Sequence, residues 1–351
     1  MKNKKTVQIG AYYFPGYGKE HNEWEIVKSA KKYIKQQNQP KIPLNGYYND
    51  NNPKTIKRQI KIASEHGIDS FIFDWYWKKG KIYLNKPLDL FIKENSSMKF
   101  ALMFSWKLAK SYLPVEKGKQ HESEEKRWIM TNKKDFIKML EFCQKKYFSN
   151  KNYWKINNQP YFIMYYVGGF LNKLGEKKLK NMIEYARKYF AKKAMPIPFF
   201  VGVVTNTKKT DFGFDALTGY NFLPDFKKNA KLIQDYKSLY KKRIKDWNKI
   251  SKNSKIPYIP SISAGWDATP RGIRIKKLSS KLGFPWSPVV INNNPKNFGS
   301  FLKEGKKFCK ENSIDIIHIC AWNEWSEGAC IEPDEKYKDG YLKQILRISR
   351  K

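Results

Sequence analysis

The sequence is poor in the residues that build metal centres and disulfide frameworks. Its 351 residues include four cysteines and four histidines, and neither set shows the short paired spacing of a zinc site or a disulfide scaffold. Cys320 lies in an apolar run, where we expect a buried thiol. We therefore expect no metal, no cofactor and no disulfide framework.

Long hydrophobic runs are also absent. No stretch of roughly 18 or more apolar residues occurs, which argues against a transmembrane helix. The N-terminal residues lack the apolar core and the small-residue cleavage site of a signal peptide. These two absences predict a cytoplasmic location. No G-x-G-x-x-G turn follows the first predicted strand, which disfavours an open nucleotide-binding sheet.

Acidic residues are scarce relative to basic ones, at 32 against 69, which gives a net charge of +37. A charge of this size is common among nucleic-acid-binding proteins, but here the lysines are spread over the whole chain. We interpret the positive charge as the result of a biased amino-acid composition at a solvated surface, and we expect no specific nucleic-acid partner. The alternative is an anionic partner: an acidic polysaccharide, a nucleotide phosphate or a membrane surface that attracts the protein peripherally.

Short apolar runs are what the sequence has in quantity, and they alternate with amphipathic stretches. Nearly continuous hydrophobic runs are typical of parallel strands buried on both faces. Eight strands are predicted, over residues 7–14, 70–75, 99–105, 161–166, 199–205, 216–220, 258–263 and 314–321. Helices are predicted over residues 53–65, 135–147, 176–190 and 294–312 and from residue 340 onward.

This alternation predicts the α/β class and a (β/α)8 TIM-type barrel, with residues 1–351 forming a single domain. An open α/β sheet is the alternative. Three strand-to-helix connections are long, namely residues 16–52, 106–133 and 266–293. In a barrel such loops build the C-terminal face, where active sites lie. We interpret them as walls or lids of a site, with tolerated surface insertion as the alternative.

The strongest local signal is the sequence AWNEWSEG at residues 321–328, directly after the eighth predicted strand. On a turn, Glu324 and Glu327 would share a face with Cβ atoms about 5–6 Å apart. Burial and like charge would raise the pKa of one carboxyl group, so that one donates a proton and the other accepts. The pair predicts acid/base catalysis at a glycosidic bond. A surface turn with two solvated glutamates is the alternative.

Most other predicted strands end in an aromatic residue beside a polar one, as a sugar-binding pocket requires. Any one of these aromatic rings could instead fill the core. Arg271 could hold a substrate phosphate or carboxylate, although we slightly favour a salt bridge to Asp267, four residues earlier. The predicted substrate-binding residues are Tyr12, Tyr13, Asp74, Trp75, Trp106, Tyr165, Tyr220, Trp266, Asp267, Arg271, Trp322, Asn323 and Trp325.

Three motifs resemble those of the WbsX-type glycosyltransferases and the related glycoside hydrolase family 99. They are GAYYFP at residues 10–15, GWDATPR at 265–271 and WNEWSEG at 322–328, which runs on to IEPD at 331–334. The resemblance extends from residue 6 to about residue 345, and its last motif is the most specific. It implies a (β/α)8 barrel that acts on carbohydrates.

The resemblance also implies roles for the two glutamates. The hydrolase branch includes retaining endo-α-mannosidases that need no metal. There the first glutamate acts as a base on the sugar 2-hydroxyl and the second as the acid/base at the glycosidic oxygen. Glu324 takes the first role by this carry-over and Glu327 the second. Two positions depart from the family pattern: the stretch SWKL at residues 105–108, and Asp74, where many relatives have Tyr or His.

Taken together, these features predict an enzyme that acts on an oligosaccharide or polysaccharide. WbsX-type members are described as glycosyltransferases of O-antigen and capsule assembly. The resemblance therefore favours glycosyl transfer in bacterial surface polysaccharide biosynthesis, with a nucleotide-sugar or lipid-linked donor. One alternative is a retaining endo-acting hydrolase, which would need only the two glutamates. A second is a non-catalytic carbohydrate-binding barrel.

Overall fold

The apolar runs form the parallel strands of one barrel. The computed structural model describes residues 7–19, 21–105, 113–118, 132–204, 211–227 and 229–349. The barrel strands are β1 (Gln8–Tyr13), β2 (Ser70–Lys78), β3 (Lys99–Ser105), β4 (Gln159–Tyr165), β5 (Phe199–Val203), β6 (Ala216–Thr218), β7 (Tyr258–Ile259 and Ser261–Ser263) and β8 (Ile316–Cys320). Each of the eight predicted strands overlaps one of these.

The barrel closes through β7, which Pro260 divides into two short segments. Tyr258–Ile259 pairs with β6, and Ser261–Ser263 pairs with β8. β8 pairs in turn with β1, and every neighbouring pair around the ring is parallel. Proline has no N–H to give to a ladder, which explains the break. The predicted (β/α)8 fold is confirmed, and the open-sheet alternative is wrong because both edges are paired.

Helices cover the outside of the barrel. Two of them begin with the same N-terminal cap. The side chains of Asn52 and Asn294 each accept a backbone hydrogen bond at the helix start, and a proline follows each asparagine. No helix of the described residues is long and apolar enough to cross a membrane. The helices are α1 (Glu23–Lys28), α2 (Pro53–Glu65), α3 (Lys86–Glu94), α4 (Lys133–Cys143), α5 (Val167–Leu174), α6 (Glu176–Lys192), α7 (Tyr236–Asn253), α8 (Pro295–Glu311) and α9 (Gly340–Ser349).

Alternate residues of each strand enter two separate cores. One core lies between the strands and the helices and contains Tyr13 and Trp75. The other core lies inside the barrel and contains Tyr12 and Ile72. Because side chains alternate along a strand, the last inward-facing residue of each strand reaches the mouth of the barrel. This alternation decides which strand-end residues can meet a substrate.

His318 lies at the centre of the barrel and is held in its neutral form. Its Nδ1 is 3.0 Å from the hydroxyl of Tyr12 and 2.9 Å from Oγ1 of Thr218, and its Nε2 is 3.0 Å from the hydroxyl of Tyr161. Burial lowers the pKa of His318 to about 3, because an imidazolium there would lose its hydration. The barrel interior is therefore a packed core and not a channel.

We expect the substitution His318→Gln to reduce the dependence of stability on pH in mild acid. The unfolded chain protonates this histidine near pH 6.5, whereas the folded chain resists protonation until about pH 3. The stabilising contribution is therefore complete above about pH 6.5 and is lost as the pH falls, by up to about 1.4 kcal/mol per pH unit. Urea unfolding of both proteins at several pH values measures the slope.

The matched control is His66→Gln. His66 is partly buried at the end of α2, where its Nδ1 lies 2.8 Å from the carbonyl oxygen of Ile62. Parallel pH profiles for the wild type and His318→Gln would contradict a neutral, buried imidazole at the barrel centre.

Candidate active site

Two glutamates lie on a tight turn directly after β8. Asn323–Glu324 and Ala329–Cys330 form a short antiparallel ladder, and the 3-10 turn Trp325–Glu327 lies between them. Gly328 ends this turn with a φ of 64°, and a Cβ there would lie 3.2 Å from both Cβ and the backbone nitrogen of Asp267. Glycine is therefore required on conformational and on steric grounds.

Arg271 joins the two carboxyl groups. Its Nη2 donates to Oε2 of Glu324 at 3.0 Å, and its Nη1 donates to Oε1 of Glu327. Its Nε donates to Oγ of Ser326 at 2.8 Å, so that one guanidinium binds three residues of the turn. The guanidinium and both carboxyl groups are buried. Charged groups removed from water need such pairing.

The expected salt bridge between Arg271 and Asp267 is wrong. A short 3-10 turn, Thr269–Arg271, separates the two residues and points the arginine toward the glutamates. Asp267 instead accepts hydrogen bonds from the backbone nitrogen and the hydroxyl of Thr269, at 3.1 and 2.7 Å. Its own backbone nitrogen donates to the carbonyl oxygen of Glu327 at 2.7 Å. Asp267 therefore supports the loop from below the site.

Burial sets the protonation of Glu324. Loss of hydration raises the pKa of Glu324 to about 8; repulsion from Glu327 adds to this effect, and Arg271 opposes it. The carboxyl group of Glu324 is therefore largely protonated at neutral pH in the free protein. Glu327 is bound by the same guanidinium, so the two carboxyl groups lie side by side, as a pair that performs acid/base chemistry must.

Asp74 brings a third carboxyl group to the mouth of the barrel. The hydroxyl of Tyr220 donates to Oε1 of Glu324 at 2.6 Å and also hydrogen-bonds to Asp74. Burial, followed by the charges of Glu324 and Glu327, raises the pKa of Asp74 well above its usual range. Its Oδ1 is buried and has no hydrogen-bond partner among the described residues.

Asn323 fixes the turn to the end of β1. Its Oδ1 accepts from the backbone nitrogen of Phe14 at 2.8 Å, and its Nδ2 donates to the carbonyl oxygen of the same residue at 2.9 Å. The hydroxyl of Tyr17 donates to the carbonyl oxygen of Asn323 at 2.7 Å and accepts from the backbone nitrogen of Trp325 at 3.1 Å. Asn323 is therefore a positioning residue.

Trp325 is anchored behind the turn by polar groups. Its Nε1 lies 3.2 Å from the hydroxyl of Tyr48 and 3.3 Å from Oε2 of Glu332. Glu332 also accepts from Tyr48 at 2.7 Å and from Nε2 of Gln59 at 2.9 Å. Loss of hydration raises the pKa of Glu332 to about 7. This network ties the turn to α2 and to the first long connection.

A cavity of about 600 Å³ lies beside Glu327. Tyr165 and Tyr220 line its inner part, and their ring centroids are 5.3 Å apart. Trp266 and the segment after β6 form the opposite side. The remaining lining residues are Tyr166, Val203, Val204, Asn221, Phe222, Pro224, Asp225, Phe226, Lys227 and Arg243. Its volume and aromatic lining suit a small glycan.

The structure brings about half of the predicted site residues together. Those at the cavity or bonded to its lining are Asp74, Tyr165, Tyr220, Trp266, Arg271, Glu324 and Glu327. Those that it places elsewhere, all buried, are Tyr12, Tyr13, Trp75, Asp267, Trp322, Asn323 and Trp325. Trp106 lies outside the described residues. The second group packs or supports, so we do not retain it among the proposed substrate contacts.

Several residues that support the turn are not predicted from the sequence. Glu23 accepts from the hydroxyl of Ser326 at 2.6 Å, and Nε2 of Gln39 donates to the carbonyl oxygen of Trp325 at 2.8 Å. Both belong to the connection 16–52, which carries α1 and packs beneath the turn. These contacts support the turn, and the interpretation of the connection as a wall or lid stays a prediction. The one sequence feature that could have indicated Glu23 is an acidic residue beside apolar residues in a long loop.

Comparison with known proteins agrees with this geometry. A family model described as "Glycosyltransferase WbsX" matches residues 15–345. Two curated relatives from strains of Xanthomonas campestris pv. campestris, both called "Uncharacterized protein WxcX", are 21% identical over 350 residues. The matches cover 93% of this chain and 46% of each relative, so the chain spans about half the length of these relatives.

Solved structures share the fold. The GH99 endo-α-mannosidase from Bacteroides thetaiotaomicron superposes with a TM-score of 0.65 at 15% identity, covering 98% of each chain. A glycoside hydrolase-like protein gives a TM-score of 0.66 at 14% identity, covering 99% of this chain and 95% of its own. At such identities the similarity establishes the barrel fold alone.

We expect Asn323→Ala to destabilise the protein by about 2–4 kcal/mol, because it leaves the buried N–H and C=O of Phe14 without partners. Urea denaturation measures the change. The control is Asn297→Ala, which removes a surface hydrogen bond to the carbonyl oxygen of Asn292 and should change stability by less than about 0.5 kcal/mol. Equal losses in the two variants would show that Asn323 does not fix the turn.

Proposed function

Because this chain belongs to the WbsX glycosyltransferase family, and so to the carbohydrate-active enzymes that act on glycosidic bonds, we propose that it transfers a glycosyl group during assembly of a bacterial surface polysaccharide. One observation carries the proposal: Glu324 and Glu327 share the buried guanidinium of Arg271 beside an aromatic cavity. The proposed acceptor is an oligosaccharide or polysaccharide of O-antigen or capsule type. The proposed donor is a nucleotide sugar or a lipid-linked sugar.

Glu327 is the proposed acid/base. It is the one glutamate of the pair that lines the cavity, where it can protonate the leaving oxygen of the donor and then accept the proton of the acceptor hydroxyl. Glu324 is the proposed base toward the sugar 2-hydroxyl. Tyr220 and Arg271 donate to its two oxygens, which favours the ionised form once a substrate is bound.

Hydrolysis is the second candidate. The same two carboxyl groups suffice when water replaces the acceptor hydroxyl, and no separate donor is then needed. The barrel fold that this chain shares with an endo-α-mannosidase supports this alternative. The two candidates therefore differ in the acceptor and not in the roles of the glutamates.

The deciding experiment offers the purified protein two sets of substrates. The first is α-linked manno-oligosaccharides alone, and the second is nucleotide sugars together with an acceptor glycan, with products followed by mass spectrometry. Elongation that requires the donor supports glycosyl transfer. Cleavage without a donor supports the hydrolase. Tight glycan binding without turnover in either set would make the protein a carbohydrate-binding barrel and would overturn the proposal.

Replacing Glu327 with Gln should lower turnover by about 10²–10⁴-fold, because the amide can neither give nor take the proton. Initial rates with the substrate found above measure the loss. The fold should be retained, since the amide oxygen can still accept from Arg271 and Glu324 still binds the same guanidinium. Glu335→Gln is the matched control, because this glutamate is exposed and eight positions further along. Full activity in Glu327→Gln would remove this residue from the mechanism.

The rate should rise with pH between about pH 6 and pH 8. As a base, Glu324 must lose the proton that its pKa of about 8 retains in the free protein, so kcat/KM should increase by up to about tenfold per pH unit below that value. A pH–rate profile with a glycan substrate that is stable over this pH range measures the increase in kcat/KM. A kcat/KM that falls as the pH rises from 6 to 8 would contradict the role of Glu324 as the base.

A further inference from the structure

The outer part of the cavity is built by the segment between β6 and α7. Phe226 is 54% exposed, and its ring stands edge-on to Trp266, with centroids 5.3 Å apart at 90°. The ring of Phe226 therefore offers an apolar face at the rim of a cavity whose inner end holds Glu327.

The same rim carries cationic groups. Lys227 and Arg243 both line the cavity. Arg243 is buried, and its Nε donates to the carbonyl oxygen of Leu223 at 3.1 Å while its Nη1 is held by Asp246. Its Nη2 donates to no acceptor of the described residues. Lys227 is exposed and forms no ion pair within the described part of the chain.

The acidic residues near this rim are already matched. Asp246 is paired with Arg243, and Asp225 is paired with Lys242. Asp225 also accepts from the backbone nitrogen of Lys227 at 3.2 Å. With both carboxylates neutralised in this way, Lys227 adds one positive charge that has no counterpart, and Arg243 adds an N–H group.

We propose that this rim is a subsite for an anionic group on the glycan or on the sugar donor. Lys227 and Nη2 of Arg243 would contact the anion, and Phe226 and Trp266 would hold the attached sugar ring. The anion is a carboxylate of an acidic sugar or a phosphate, which offer the same charge and acceptor oxygens to these groups. This inference rests on the proposed function, because it defines the substrate class for the same cavity.

The inner end of the cavity cannot serve this purpose. Arg271 is the cation there, and its hydrogen bonds already go to Glu324, Glu327 and Ser326. Asp74 adds a further acidic group beside them. An anionic substituent finds no free cation at the inner end, whereas Lys227 attracts it at the rim. The cavity therefore orients an acidic substrate with its charge away from the reacting bond.

The test compares small probes that differ in charge. Glucuronate, glucose and inorganic phosphate are titrated into wild-type protein at low ionic strength, and dissociation constants are obtained from NMR spectra of the ligands. We expect glucuronate to bind about tenfold more tightly than glucose, and this preference to shrink in about 0.3 M salt. Equal affinities for glucuronate and glucose, together with no binding of phosphate up to about 50 mM, would overturn the subsite.

The variant Lys227→Gln locates the effect. Arg243 is unsuitable for this purpose because it also holds the carbonyl of Leu223. Lys227→Gln should bring the affinity ratio of glucuronate to glucose close to one. The control is Lys237→Gln, an equal loss of charge at an exposed position of α7, and it should leave the ratio unchanged. An equal decrease in both variants would mean attraction to the overall charge and would refute the subsite.

The probes also distinguish the two sources of the anion. Stronger binding of phosphate than of glucuronate indicates a phosphate-bearing donor, and the reverse indicates an acidic sugar. The turnover screen is independent of these titrations. Glycan turnover with neither a preference for glucuronate over glucose nor binding of phosphate refutes the subsite and leaves the proposed function standing. A preference that depends on Lys227 in a protein without turnover refutes the proposed function and leaves the subsite.

Discussion

The buried guanidinium of Arg271 is the contact on which the rest of the site depends. It joins the loop after β7 to the turn after β8 by binding Glu324 and Glu327. A buried ion pair is costly to break, because removing one partner leaves the others uncompensated. Glu23 adds a further negative charge nearby. The glutamates can be buried together only while this arginine is present, and the raised pKa of Glu324 follows from that burial.

Rigidity around the turn comes from polar contacts and not from apolar packing alone. Tyr17, Gln39 and Tyr48 reach the turn from the connection 16–52, and Asn323 binds the end of β1. A buried network in which the groups are paired holds side chains in one geometry, and acid/base residues need such a support. The long first connection is therefore part of the catalytic scaffold, even though it does not line the described cavity.

The strands were predictable because each is a run of apolar residues buried on both faces. That same uniformity hides which residues face inward. Tyr12 and Tyr13 are equally aromatic, yet one lies inside the barrel and the other under the helices. Asp74 and Trp75 divide in the same way. The error at Arg271 has a different cause: a spacing of four implies a helix, but the backbone there is a short 3-10 turn, and its true partners lie more than fifty residues away.

Charge is distributed unevenly along the cavity, and this bears on how a substrate lies in it. At the inner end, burial raises the pKa values of Asp74 and Glu324, and the charges of neighbouring glutamates add to the effect beside the one guanidinium. That end favours neutral hydroxyls and a glycosidic oxygen. At the rim, Lys227 leaves a positive charge without a counterpart. A gradient of this kind fixes the direction of a glycan chain without contacts to every sugar.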